Sequence, residues 1–309
     1  MVPSNKLPRS IRLRAFAKIN LGLKIVAKRT DGYHDIRTVY QTIALHDRLE
    51  LSLHPSETGT RFECDNPQIP AGDQNLVSRA CQLWRRATGF RGGVRARLEK
   101  RIPAGSGLGG GSSDAAAALE GLERLSGEKL TPSLRFSLAA QLGSDVPLFL
   151  LGGRVLGCGR GEEIYPLPDF PPRKCLVVYP GFSVSTAEAY REAGSRLTAQ
   201  AKNRNIGDVG AWPQFPLLNW GPAENDFESV VFARWPELAQ LKRQLIRAGA
   251  EIASLTGSGS AVYAIYESAR QLLRASKLIP QGWLGFASRT LSRADYQRLL
   301  VYEGRRFSR

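Results

Sequence analysis

Between Pro103 and Ser113 the chain reads PAGSGLGGGSS, five glycines and three serines in eleven residues, and passes at once into the alanine- and leucine-rich run DAAAALEGLERL. Bare backbone ahead of a helix suits an anion. Glycine admits positive φ and puts no Cβ in the way of a bulky ligand. A helix start presents unpaired N–H groups and the positive end of its dipole, so the two together favour phosphate. Ser112 and Ser113 can cap the helix, or give their hydroxyls to phosphate oxygens or to the water shell of a metal ion; Asp114 is an alternative cap. Leu119, Leu122 and Leu125 give the helix an apolar side to bury.

Two familiar phosphate loops do not fit. A Walker A loop needs a Gly-Lys pair, and none follows these glycines. Gly105, Gly107 and Gly110 match G-x-G-x-x-G, but the downstream SGEKLTPSLRFSLAAQLG is a turn and a helical pattern, where a Rossmann unit expects a strand ending in an acidic residue. Other chemistry-bearing residues stand apart and read plainly when taken singly. Asp145 after Ser144 could cap a helix. Lys18 on a strand face would be solvated, and His34 would be an exposed turn residue. Gly257, Ser258 and Gly259 could be a tight hairpin.

The elements that must position these residues can be read from periodicity. Residues 11–26 alternate as a strand, with Ile19, Leu21, Leu23 and Ile25 on one face and Lys18, Asn20, Gly22 and Lys24 on the other. RTDGYHD is a turn, TVYQTIALHDRLELSL a further strand, and residues 75–88 a helix with Leu76, Ala80 and Leu83 on one side. GGVRARLEKRI leads as a strand into the glycine loop, and a second helix lies around 132–142. GSDVPLFLLGGRVLGCGRGEEIYPL reads as strand and turn, and the proline-rich PDFPPR (168–173) marks a boundary between 1–168 and 172–309. Beyond it come the strand KCLVVYP, the capped helix STAEAYREA, an aperiodic 196–224 segment read as a long loop or lid, the helix PELAQLKRQLIRAGA, and a strand–turn–strand EIASLTGSGSAVYAIYES.

Composition narrows the function class. With 42% hydrophobic and 23% charged residues and no apolar run near membrane-span length, the chain reads as a globular protein of two domains, and a start without an apolar core predicts no secretory leader and a cytoplasmic location. The four cysteines and three histidines form no metal-ligand spacing. A net charge of +15 raises nucleic-acid binding as a rival, but the basic residues are dispersed apart from an arginine-rich start and a basic tail, and no RNA-binding signature is present. The same charge suits an enzyme acting on polyanions.

Three separated segments resemble, in order, the three motifs of the GHMP kinases: residues 16–51, beginning FAKINLGLKIV, then IPAGSGLGGGSSDAAAAL, then LTGSGSAVYAIYE. A-K-I-N-L followed by D-G-Y-H, with GSDVP (143–147) and NDFE (225–228), is similar to the branch acting on a CDP-linked methylerythritol polyol. The resemblance implies an α/β (α+β) fold in two domains, the first like ribosomal protein S5 domain 2 and the second ferredoxin-like, with the site in the cleft between them. It implies transfer of the ATP γ-phosphoryl group to a tertiary hydroxyl, with Mg²⁺ accompanying ATP. Asp145 would be the base and Lys18 the catalytic cation. Pro103, Ala104, Gly105, Ser106, Gly107, Leu108, Gly109, Gly110, Gly111, Ser112 and Ser113 would hold ATP, with Lys100 contacting adenine or ribose. Substrate contacts would fall to Asn20, Tyr33, His34, Thr186, Tyr190, Gly257, Ser258 and Gly259, a cytosine ring stacking between aromatic faces while His34 reads its edge. The expected partners are therefore that small-molecule substrate and ATP. The alternatives are a homoserine- or mevalonate-type kinase of the same superfamily, or a basic RNA-binding protein.

Overall fold

In the computed structural model, residues 10–200 and 223–302 are described. Two long antiparallel strands, β1 (Ser10–Lys28) and β2 (His34–His54), pair along nearly their whole lengths and carry the rest of the first unit. Beyond β2 the sheet continues through β4 (Gly93–Glu99) to β3 (Thr60–Cys64) at one end, and through β5 (Arg154–Cys158) to β6 (Glu163–Pro166) at the other. Helices α1 (Leu76–Thr88), α2 (Gly110–Ser126), α3 (Pro132–Leu142) and α4 (Val146–Leu151) contribute to its core, where Trp84, Leu119, Leu122 and Phe149 meet Leu13, Leu49 and Leu51. Burying an apolar side chain of this kind stabilises by about 1.5–3 kcal/mol, which is what draws the helices onto the sheet.

The second unit is a four-stranded antiparallel sheet of β7 (Lys174–Tyr179), β8 (Ile252–Leu255), β9 (Val262–Tyr266) and β10 (Leu284–Arg289) in the order β10-β7-β9-β8. Helices α5 (Thr186–Gln200), α6 (Glu228–Arg234) and α7 (Pro236–Arg247) lie between β7 and β8 in sequence, and α8 (Ala269–Ala275) between β9 and β10. This is the split βαβ arrangement of a ferredoxin-like sheet, as expected. A third apolar cluster joins the units: Ile19, Leu21, Val39 and Ile43 of the first sheet pack with Val177, Tyr263 and Ile265 of the second. The alternation expected of 11–26 is accordingly lost, because Ala15 to Leu23 are buried throughout and the β1–β2 register shifts at three points.

Four other expectations change. Val146–Leu151 is a short helix where strand and turn were expected; a run of six apolar residues carries no period to tell the two apart. Helix α1 buries Val77, Ala80, Cys81 and Trp84, with Leu76 and Leu83 at the margin of that face. Helix α5 runs to Gln200, so the first residues of the expected 196–224 loop are helical; 201–222 lie outside the described residues, as do residues 1–9 and the basic tail. Finally, α9 (Arg293–Leu300) returns to the first unit, although a split at 168/172 would give it to the second. The Tyr296 hydroxyl donates to the Phe149 carbonyl at 2.6 Å, Leu300 enters the first core, and Val301 bridges Leu13.

Candidate active site

The glycine run ends at the start of α2. Gly109, at φ 72°, is the N-cap, and it has no side chain with which to cap. Ser112, Ser113 and Asp114 therefore lie inside the helix, and none of them is the cap. The first ladder bond runs from the Ser113 N–H to the Gly109 carbonyl at 2.9 Å, so the N–H groups of 110–112 have no partner within the helix. The loop is pinned from outside: the Lys18 N–H donates to the Leu108 carbonyl, and the Ala261 N–H to the Ser106 carbonyl. Gly107, at φ 82°, brings its backbone against Thr256 so closely that a Cβ would lie 2.0 Å from the Thr256 carbonyl oxygen. Only glycine fits there.

Lys18 projects from β1 beneath this loop. It is 3% exposed, which excludes the solvated-surface reading. Its ammonium donates to Asn20 Oδ1 at 2.8 Å and lies 3.3 Å from Asp145 Oδ2. Asp145 immediately precedes α4 but makes no side-chain cap there; its other oxygen accepts from the Tyr40 hydroxyl at 3.1 Å. Burial, with Asp145 alongside, raises the Tyr40 phenol well above its ordinary value, so it remains a donor. Asn20 was expected to meet substrate, yet its Oδ1 also accepts from Thr256 Oγ1 at 3.2 Å and the Gly257 N–H at 2.8 Å, while its amide nitrogen donates to Thr38 Oγ1. It braces Lys18 and the 256–257 loop. The NDFE segment acts similarly: Asn225 donates to the Leu255 and Gly257 carbonyls, and Asp226 accepts from the Ile25 N–H.

Lys100 lies under the start of α2, where two carboxylates, Asp47 and Asp114, hold its ammonium; the contact to Asp114 is 2.8 Å. Burial alone would lower this lysine, but the two acids overcome it and raise it. Burial pushes Asp114 up to about 8, against the pull of Lys100. Lys100 thus borders the cavity with its ammonium already held by the Asp47 carboxylate and the Asp114 carboxyl.

One cavity of about 980 Å³ takes in the phosphate loop, Lys18 and Asp145 at one end and Tyr33, His34 and Tyr190 at the other. The volume is at the upper end for a single-ligand site and suits two substrates meeting. At the far end His34 stacks on Tyr190 with ring centres 5.1 Å apart and planes at 14°, and Tyr190 meets Phe227 edge-on at 4.8 Å. His34 therefore covers the Tyr190 face on which a base was expected to stack. Burial, then Lys28, lowers the His34 pKa, and its Nε2 is buried without a partner. Tyr33 is 55% exposed, with the Arg160 guanidinium 5.0 Å from its ring centre. Thr186 meets Ser258 hydroxyl to hydroxyl at 2.9 Å, a contact between α5 and the 256–261 loop.

Three candidates do not line this cavity. Leu108 is fully buried in the cluster joining the units, Ser113 is buried with its hydroxyl unpartnered, and Gly259 lies behind the loop that presents Gly257 and Ser258. Residues that sequence reasoning missed are Tyr40, Asp47, Arg160 and Phe227. Among the described residues no cluster of three or more His, Cys, Asp or Glu side chains could hold a metal, and no helix is long and apolar enough to cross a membrane.

Residues 75–153 match the GHMP kinases N terminal domain and 215–277 the GHMP kinases C terminal domain. A protein of Solibacter usitatus named 4-diphosphocytidyl-2-C-methyl-D-erythritol kinase is 43% identical over 304 residues, covering 94% of this chain and 93% of its own. The chain belongs to the 4-diphosphocytidyl-2-C-methyl-D-erythritol kinase family of GHMP kinases. A second member of that kinase family, from Pelotomaculum thermopropionicum, is 43% identical over 267 residues, covering 84% of this chain and 91% of its own. A crystal structure of 4-(cytidine 5'-diphospho)-2C-methyl-D-erythritol kinase superposes with a TM-score of 0.71 at 34% identity, over 91% of this chain and 99% of the other. A homoserine kinase from Cytophaga hutchinsonii reaches 0.69 at 20% identity, over 94% and 98%, a likeness of fold alone. The two units are thus the two domains of the α/β GHMP kinase fold.

Proposed function

We propose that this chain transfers the γ-phosphoryl group of ATP to the 2-hydroxyl of 4-diphosphocytidyl-2-C-methyl-D-erythritol, a step toward isoprenoid precursors. The observation that carries the reading is a single cavity with an amide-lined helix start and a Lys18–Asp145 pair at one end and an aromatic cluster at the other. Phosphoryl transfer asks mainly for positioning and charge stabilisation. The N–H groups of 110–112 and the α2 dipole receive the phosphates, with Gly105, Gly107 and Gly109 to Ser112 along their path.

Asp145, oriented by Tyr40 and Lys18, accepts the proton of the 2-hydroxyl as its oxygen bonds to the γ-phosphorus. The bond from that phosphorus to the β–γ bridging oxygen breaks, and ADP leaves with the electron pair. Lys18 offsets the charge gathering on the transferred group. Mg²⁺ accompanying the nucleotide would supply charge neutralisation for the transferred group, and the Ser112 hydroxyl, in the first turn of α2 and in the cavity wall, would meet its hydration shell. At the far end Tyr33 and the His34 ring, itself backed by Tyr190, offer aromatic surface for a pyrimidine, and Lys28 and Arg160 the cations for its diphosphate.

A coupled ADP-release assay with a substrate panel tests the reading. Turnover is expected with the cytidine diphospho-polyol, weaker turnover with its uridine analogue, and none above background with homoserine or mevalonate. Equal or faster turnover of homoserine or mevalonate overturns it.

A further inference from the structure

A second cavity, of about 650 Å³, lies at the opposite end of α1 and shares no lining residue with the catalytic one. It is bounded by the last turn of α1, the turn that follows, and the start of β3. Its charged groups are three guanidiniums, Arg85, Arg86 and Arg91, against one carboxylate, Asp73. Asp73 already accepts from the Gln82 amide. Among the described residues none of the three arginines forms an ion pair.

Arginines in a last turn offset the negative end of the helix dipole, which accounts for Arg85 and Arg86. It does not account for Arg91, which lies beyond the helix. Nor does it account for two buried polar atoms in the cavity wall. Arg85 spends one Nη–H on the Arg91 carbonyl at 3.3 Å, and its Nε–H is left buried without a partner; the Thr60 hydroxyl is buried and unpartnered as well. Three guanidiniums that line one cavity without an ion-pair partner, two of them exposed, mark a place where an acceptor belongs.

We propose that this cavity binds a small phosphate-bearing anion of the diphosphate class. The guanidiniums of Arg85, Arg86 and Arg91 present planar forks of donors that match phosphate oxygens in pairs, and the Thr60 hydroxyl adds a further donor. The excess of two positive charges over Asp73 offsets most of the charge of a diphosphate group, and the volume falls within the range of small-molecule sites.

The test is titration calorimetry of the full chain with inorganic pyrophosphate, the catalytic cavity first saturated with a non-hydrolysable ATP analogue and the polyol substrate. One further pyrophosphate is expected to bind per chain, more tightly than sulfate at matched ionic strength. The double variant Arg86→Gln/Arg91→Gln, at two exposed positions, is expected to bind it at least about tenfold more weakly. Its KM values for ATP and polyol are expected to be those of the parent, and its Tm lower by no more than a few degrees for the lost dipole-facing charge of Arg86. Thr60→Val, which removes only the hydroxyl, is expected to weaken binding by a smaller factor. Absence of a further site, equal affinity for sulfate, or an unchanged affinity in the double variant would each overturn the proposal.

Discussion

At the end of the cavity proposed for phosphoryl transfer, Lys18 and Asn20 stand two residues apart on a strand buried on both faces, and Lys18, Asn20 and Tyr40 have their polar atoms committed to named partners. At the proposed nucleoside end, His34, Tyr190 and Phe227 come from three separate stretches of chain and touch through ring faces and edges, while Tyr33 lies under the Arg160 guanidinium. The exposures mark the contrast: 3% for Lys18 against 55% for Tyr33. A charge held at fixed distance from its partners in a desolvated place acts on the transition state. Aromatic surface that opens to water at Tyr33 offers binding in ground and transition state alike. Damage at the first end should therefore appear in kcat, and damage at the second in KM.

The sharpest way to break that contrast is Asp145→Asn. Turnover should fall roughly 10²–10⁴-fold while ATP still binds, as a loss of the base requires. Near-normal turnover in a folded variant would remove Asp145 from that role. Tyr40→Phe probes the support of the same carboxylate. It deletes one hydrogen bond to a charged group, so kcat should drop about tenfold with KM for ATP unmoved, and a change confined to KM would place Tyr40 with the binding residues instead.

Tyr190→Ala addresses the other end. Losing the His34 stack and the Phe227 contact should raise KM for the nucleotide-linked substrate roughly tenfold, with kcat held within a few-fold. A large kcat loss there would erase the distinction between the ends.

The smallest effect concerns pH and the triad beneath the loop. Asp114 keeps its proton up to about pH 8 in the folded chain, against about 3.8 for a free side chain. Between those values the folded state binds more protons than the unfolded one, so this group makes stability fall as pH rises from about 4 to about 8. Asp114→Asn cannot ionise, and its Tm curve against pH should be flatter than that of the parent over that window. Parallel curves would contradict the protonated state.

Local signals made much of this legible. The strands of 11–26 and 38–53, the helices at 75–88, 132–142 and 236–247, and the glycine loop ahead of α2 each carry a period, a cap or a turn residue. Leucines 238, 241 and 245 of α7 are buried as their spacing requires. The sequence was silent where contacts are distant. Tyr40 reaches Asp145 across 105 positions, and Asp47 reaches Lys100 across 53, so no window contains either pair. In the same way α9 has no local feature that says which unit it joins; Tyr296 finds Phe149 across 147 residues. Asn20 illustrates a different gap. Strand alternation places it beside Lys18, but only the fold reveals that Thr256 and Gly257 occupy the same oxygen.

The most direct measurement is a crystal structure of the chain with a non-hydrolysable ATP analogue and the cytidine diphospho-polyol bound together. The account predicts the γ-phosphate against the backbone N–H groups of 110–112, the acceptor hydroxyl at roughly 2.6–3.2 Å from the Asp145 carboxylate, and the cytosine beside His34 and Tyr190. A triphosphate lying away from the start of α2, or an acceptor hydroxyl out of reach of Asp145, would contradict it.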